Sequence, residues 1–277
     1  ADIEGAFLGV DFLKKHALGE KQNVGKKVAI VGGGNTAIDC ARTARRMGAE
    51  VTIAYRRSRK EMPAEDYEIV AAEEEGVELM LLTNPAELIQ EDGKLKKIKF
   101  AKMELGEPDS SGRRRPVPTG EYFVKEYDSV IAAISQKPDV DFLIEEENKI
   151  SGKEIPLTRW STADVDENTM YTGIENIFAG GDFRRGPATA VEAIADAKVA
   201  ADIIDKYLKG EKIEREAQQF DSKKAEKIED VSKEEYEQFE EIPKIKMPEL
   251  DAEKRITNFK EVELGFNDID AKKEAER

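Results

Sequence analysis

The sequence predicts an α/β protein: a Rossmann-type parallel sheet, an antiparallel meander inserted into it, and an extended charged arm. Three observations predict this. Residues 26–82 alternate strand, helix, strand, helix, strand, which calls for a parallel sheet flanked by helices. From Lys94 the apolar period changes to two, and after Gly210 the composition changes to Lys, Glu and Asp with sparse apolar residues.

The organising stretch is 26–57, KKVAIVGGGNTAIDCARTARRMGAEVTIAYRR. A short apolar run ends at Val31, three glycines break the chain, and 35–47 carries Ala37, Ile38, Ala41, Ala44 and Met47 on one helical face. Gly48 is a helix stop, and 50–55 is again rich in strand formers. Gly32, Gly34 and Ala37 form G-x-G-x-x-A, a variant of the dinucleotide fingerprint, in its strand–turn–helix context. Gly32 permits the tight turn, Gly34 lets the backbone approach a pyrophosphate, and Ala37 lets the helix lie on the strand. The helix that Asn35 and Thr36 open offers unpaired N–H groups to the anion.

An NAD-binding unit places a carboxylate about 20 residues further on, at the end of the second strand, to hold the ribose 2′-hydroxyl. This chain has Tyr55-Arg56-Arg57-Ser58-Arg59-Lys60 there, with Glu61 the first acid downstream. Guanidinium groups suit a 2′-phosphate through forked, charge-assisted hydrogen bonds, so the reading is NADP(H) over NAD(H).

With 277 residues the chain is long enough for one large or two ordinary domains. A net charge of −15 argues against nucleic acid or an anionic membrane as partner, although the basic run 56–60 leaves room for an anionic cofactor. No apolar run approaches the roughly 18 residues of a membrane span and no signal-peptide pattern opens the chain, which makes the cytoplasm the default. One cysteine, Cys40, allows no intrachain disulfide or dithiol chemistry, and with one histidine, His16, a zinc site or Cys/His pair has little support.

In chain order, 1–20 carries Phe7, Leu8, Val10, Phe12 and Leu13, a short apolar helix. Met62-Pro63 opens a helix over 64–75, Gly76 ends it, and 77–82 is a buried-type strand. Leu95, Ile98, Phe100, Met103 and Leu105, then 122–124 and 129–134, make the meander and the last strand, with the Arg113–Arg115 run in a solvated turn. Ser135-Gln136-Lys137-Pro138 follows a strand's carboxyl end, where open sheets place ligands. A strand over 176–179 runs into Gly180-Gly181-Asp182, and 187–208 is a helix dense in small residues.

Taken together, VGGGNTAIDCAR, AYRRSRKEMPA, MELGEPDSSGRRRPVP and IFAGGDFRRGPATAVEAIADAKVAA resemble the glutamate synthase small-subunit family over about residues 3–210. Those are NADPH-oxidising flavoproteins related to the NADPH domain of dihydropyrimidine dehydrogenase and to NADH-dependent ferredoxin:NADP oxidoreductase, with the NADPH domain inserted into a discontinuous FAD domain. The resemblance implies NADP(H) and FAD as cofactors. It puts Gly32, Gly34, Asn35 and Thr36 at the NADP pyrophosphate, Arg56 and Arg57 at the 2′-phosphate, and Ser135 near nicotinamide and flavin, where the family often has glycine. It also puts Gly181 and Asp182 at the FAD ribityl and phosphate region, and the backbone of Ala188, Thr189 and Ala190 at the flavin's pyrimidine edge.

The implied division is 1–22 as crossover segment, 23–140 as NAD(P)H-binding domain, 141–210 as the C-terminal part of the FAD domain, and 211–277 as the arm, lying across a partner or another domain. The family's first FAD fingerprint is absent, so the expectation is a fragment lacking half its FAD site and inactive alone. Residues 255–277 resemble the segment that precedes cysteine-rich iron–sulfur motifs in some members, without such cysteines here. The implied function is hydride transfer from NADPH to FAD, with electrons passed on to iron–sulfur centres or a partner subunit. No catalytic acid or base and no metal site is needed, and homo-oligomerisation stays open. The rivals are a stand-alone NADP-dependent dehydrogenase, for which no Tyr-x-x-x-Lys pair is found, and a non-catalytic nucleotide-domain adaptor.

Overall fold

Successive residues of the central strands point to opposite faces, and here both faces are covered. The computed structural model describes residues 3–108, 112, 114–134, 138–140, 155–215, 232, 234, 237 and 242–277. They gather into two compact units, 1–134 with 241–277, and 135–240.

The first unit contains β1 (Ala6–Leu8), α1 (Gly9–Ala17), β2 (Lys27–Val31), α2 (Asn35–Arg46), β3 (Glu50–Tyr55), a 3-10 turn (Arg59–Glu61), α3 (Asp66–Glu74) and β4 (Glu78–Leu81). Strands β5 (Thr83–Glu91), β6 (Lys94–Pro108), β7 (Arg114–Glu126) and β8 (Ser129–Ala132) follow. A five-stranded sheet has the order β1-β8-β2-β3-β4, every neighbouring pair parallel, and β5-β6-β7 is a separate antiparallel sheet. Val28, Ile30, Ile53 and Ile131 pack with Phe12, Ile38, Ala41 and Ile69 of the helices. Their neighbours Ala29, Val31, Ala54 and Val130 pack with Leu95, Ile98, Phe100 and Tyr127. The meander therefore covers the face that a doubly wound fold gives to helices.

The parallel sheet and antiparallel meander are those the sequence predicts, and the differences lie in elements that only tertiary pairing creates. Strand β1 stands where a helix alone was expected, because Phe7 and Leu8 pair with Ile131 and Ala132 across more than a hundred residues. Polar β5 was not anticipated, and it carries register shifts next to Pro85 and Gln90. Arg114 and Arg115 open β7 instead of lying in a turn, while Arg113 lies outside the described residues.

Residues 242–277 belong with this unit through one buried ionic knot. Glu75, 1 % exposed, receives Arg42 Nη2 at 2.9 Å and Arg46 Nη2 at 3.1 Å, with Arg255 Nε at 3.7 Å. Arg255, also buried, donates to Glu74 at 2.6 Å and to Glu249 at 3.4 Å. It ends the short helix α6 (Ala252–Arg255). Nearby, Phe259 packs on His16 with ring centroids 4.5 Å apart. The single cysteine is equally committed: Cys40 is buried with its Sγ 3.6 Å from Gly9 O, and burial pushes its thiol up to about 12.

In the second unit, α4 (Asp182–Arg185) and α5 (Ala190–Leu208) are the helices among the described residues before 215. The expected strand over 176–179 is a single bridge, Tyr171 to Phe178, and those two rings cluster with Tyr207 at 5.2–6.0 Å. Helix α7 (Asp268–Glu276), capped by Asn267, ends the first unit.

Candidate functional site: a glycine turn and a Gly-Gly-Asp turn

The turn after β2 is set by contacts on both sides. Gly32 has φ +145°, and a Cβ there would lie 2.4 Å from Ala133 O at the end of β8. A Cβ at Gly33 would lie 2.6 Å from the Tyr55 ring. At Gly34 a Cβ would meet only Pro63, at 3.8 Å, so the space before the helix is open. Ala37 is fully buried on the sheet. Gly34 O accepts the N–H groups of Ala37 and Ile38, whereas Asn35 and Thr36 are first-turn residues whose N–H groups have no carbonyl within the helix to bond. A Gly32→Ala chain should therefore lose about 1–3 kcal/mol of stability to strain alone, read as a lower thermal midpoint, because the added Cβ meets a backbone oxygen that no side-chain rotation can move aside.

The turn is held to the loop that follows β3. Ala64 N–H donates to Gly33 O at 3.1 Å, Tyr55 Oη donates to Glu61 O at 2.6 Å, and Asn35 Oδ1 accepts Glu65 N–H at 3.2 Å. Asn35, which the resemblance puts at the pyrophosphate, thus fastens this loop with its side chain.

Within the basic run, each side chain has its own position. Arg59 meets Glu73 at 2.5 Å and Asp66 at 3.3 Å. Arg57 Nε donates to Arg114 O at 2.8 Å. Ser58 N–H and Oγ donate to Glu61, which holds that carboxyl below its usual range. Arg56 is exposed at the carboxyl end of β3, on the side of the sheet where ligands bind. A concavity at the opposite, amino end of β2–β4 is lined by Lys27, Glu50, Thr52, Glu78 and Lys125, a mix of charges in which Lys125 pairs with Glu78 at 3.5 Å.

In the second unit, Gly181 has φ +63° and ψ −148°, a region open essentially to glycine alone. Its N–H donates to Asp196 Oδ2 at 3.0 Å. Arg185 forks onto the same carboxylate, Nε to Oδ2 at 2.9 Å and Nη2 to Oδ1 at 2.6 Å, with Arg184 Nε at 3.3 Å. The Arg185 hydrogen bonds hold the buried Asp196 at about 2. Asp182 is exposed, and its Oδ1 accepts Ala188 N–H at 3.2 Å. Thr189 caps α5 in a reciprocal box with Glu192, whose carboxylate takes the Thr189 N–H at 3.0 Å. Of the three backbone groups predicted at 188–190, two are thus engaged within the chain and Ala190 is exposed. Ser135 lies outside the described residues. Asp196 and Arg185 were not singled out from the sequence: an acid inside an alanine-rich helix carries no motif, and only the turn folded against it reveals the contact.

A family model described as pyridine nucleotide-disulphide oxidoreductase matches residues 2–197. The chain belongs to that family. The NADPH-Fe(3+) oxidoreductase subunit beta of Geobacter sulfurreducens is 39 % identical, over 97 % of this chain and 43 % of its own length. The NADP(+)-dependent formate dehydrogenase subunit beta of Moorella thermoacetica is 46 % identical over 74 % of this chain and 28 % of its own, and the glutamate synthase [NADPH] small chain of Azospirillum brasilense 38 % over 72 % and 40 %. The chain thus spans less than half the length of these relatives. Among solved structures, FprA of Mycobacterium tuberculosis in complex with NADPH aligns over 76 % of this chain and 60 % of its own, at a TM-score of 0.57 and 19 % identity. Lactococcus lactis thioredoxin reductase aligns over 75 % and 59 %, at 0.55 and 21 % identity. Both likenesses bear on the fold. Among the described residues no helix is long and apolar enough to cross a membrane.

Proposed function

We propose that this chain is the nucleotide-handling part of an NADPH-oxidising flavoprotein that delivers electrons to an iron–sulfur carrier or partner subunit in the cytoplasm. The observation that carries the reading is the exposed Arg56 at the carboxyl end of β3, where an NAD-binding unit has an acid. The names of the relatives, NADPH- or NADP-dependent and subunits of larger enzymes, support the same reading.

The residues fit both cofactors. The open space before Gly34 admits a pyrophosphate, and the first-turn N–H groups of Asn35 and Thr36 face it with the positive end of the helix dipole. Arg56 and Arg57 hold the 2′-phosphate. Gly181 and Asp182 take the FAD ribityl and phosphate region, and Ala190 opens the helix end that faces the flavin. When bound, the nicotinamide supplies a hydride and the flavin accepts it and releases single electrons. This chain's residues bind, orient and polarise, and hydride transfer asks no acid or base of them.

Calorimetric titration with NADPH and then NADH tests the reading. Tight NADPH binding with NADH much weaker is the expected result. Comparable affinities would overturn the assignment to NADP(H).

A further inference from the structure

We propose that Asp196 is a positioning residue for the flavin side of the reaction, which fixes the Gly180-Gly181-Asp182 turn and the start of α5 as one unit. The role rests on the flavin reading above. Three donors converge on one buried carboxylate, Gly181 N–H and both donors of the Arg185 fork, and the Arg184 guanidinium adds a charge with its Nε 3.3 Å away. A forked pair of this kind fixes direction as well as charge.

Both glycines of the turn find their reason in this contact. A Cβ at Gly180 would lie 3.0 Å from Asp196 Cβ, so any larger residue would have to push α5 back by a few tenths of an ångström. Gly181 adopts its glycine-only conformation with its N–H aimed at Asp196. The next residue, Asp182, is aimed by that turn, and its carboxylate closes the loop onto Ala188 N–H. Arg185 also meets Glu192 at 3.7 Å, and Glu192 is the acid that caps α5. Glu192 and Asp196 are four residues apart on one helix face, so Arg185 is gripped from two successive turns. Every segment that the flavin reading assigns in the described part of this unit is therefore tied to Asp196 directly or through Arg185.

The test is Asp196→Asn in the complete protein, which keeps the side-chain volume and removes the charge. FAD affinity is read from quenching of flavin fluorescence, the flavin environment from visible circular dichroism, and NADPH affinity by calorimetry as the control. The expected result is a loss of FAD affinity of about tenfold or more, an altered dichroic band at saturating FAD, and unchanged NADPH binding. Gly181→Ala should reproduce it, since it breaks the same turn without touching the carboxylate. Unchanged FAD affinity and dichroism, with only a lower melting temperature, would overturn the proposal and leave Asp196 a stability residue. If Asp196→Asn does not fold, Arg185→Lys, which keeps the charge and loses the fork, is judged by the same criteria. A wild-type protein that takes up no FAD would refute the flavin reading itself, and this role with it.

Discussion

Replacing Arg56 by glutamate is expected to weaken NADPH binding about 100-fold or more and to change NADH binding by less than about threefold. A charge-assisted hydrogen bond to an anion is worth about 1.5–3 kcal/mol, and the new carboxylate would add repulsion against a 2′-phosphate. Together these come to about 3 kcal/mol, or roughly two decades of affinity. NADH carries no 2′-phosphate, so it is blind to most of this change. Arg56 is the residue for the experiment because it is exposed and has no hydrogen bond or ion pair among the described residues, whereas Arg57 also holds Arg114 O and Arg59 is paired with Glu73 and Asp66. Calorimetry with the two nucleotides gives the ratio directly. Equal losses for both would sink the assignment of Arg56 to the 2′-phosphate.

Glu75→Ala is expected to cost about 3 kcal/mol of stability, the lower end of what breaking a buried ion pair costs. The lower end applies because two of its partners keep other carboxylates. Arg42 still meets Glu68 at 2.6 Å, and Arg255 still meets Glu74 and Glu249. Arg46, among the described residues, is left with none. Urea denaturation followed by circular dichroism should show the midpoint falling with the slope unchanged, and a shift under about 1 kcal/mol would mean that the knot contributes little.

The fold was legible where local pattern and tertiary role agree. The glycine spacing at 32–37, the apolar runs of β2 and β3, and the stop at Gly48 announce a dinucleotide unit without any partner strand in view. Strand β1 was not legible, because Ala6–Leu8 is three residues long and is a strand only by pairing with β8. Of the candidate site, the glycine turn was legible, because its backbone demands the residue type: Gly32 has φ +145° and Gly33 lies against the Tyr55 ring. What remained hidden was the purpose of Asn35, Tyr55 and Asp196. Each bonds a backbone group brought in by the fold, Glu65 N–H, Glu61 O and Gly181 N–H, and no short motif encodes such a meeting.

The knot around Glu75 also sets a timetable for the growing polypeptide. Glu74 and Arg255 are 181 residues apart. At a synthesis rate of about 5–20 residues per second, some ten to forty seconds separate their emergence from the ribosome. During that interval the helices around the glycine turn can assemble, with Glu75 answered only by Arg42 and Arg46. Residues 135–240, made in between, form their own cluster while the first one waits. Within 1–277 the nucleotide unit is therefore begun before 135–240 and completed after it, and the closing of this loop, entropically costly at this length, is favoured by carboxylates already in place for Arg255.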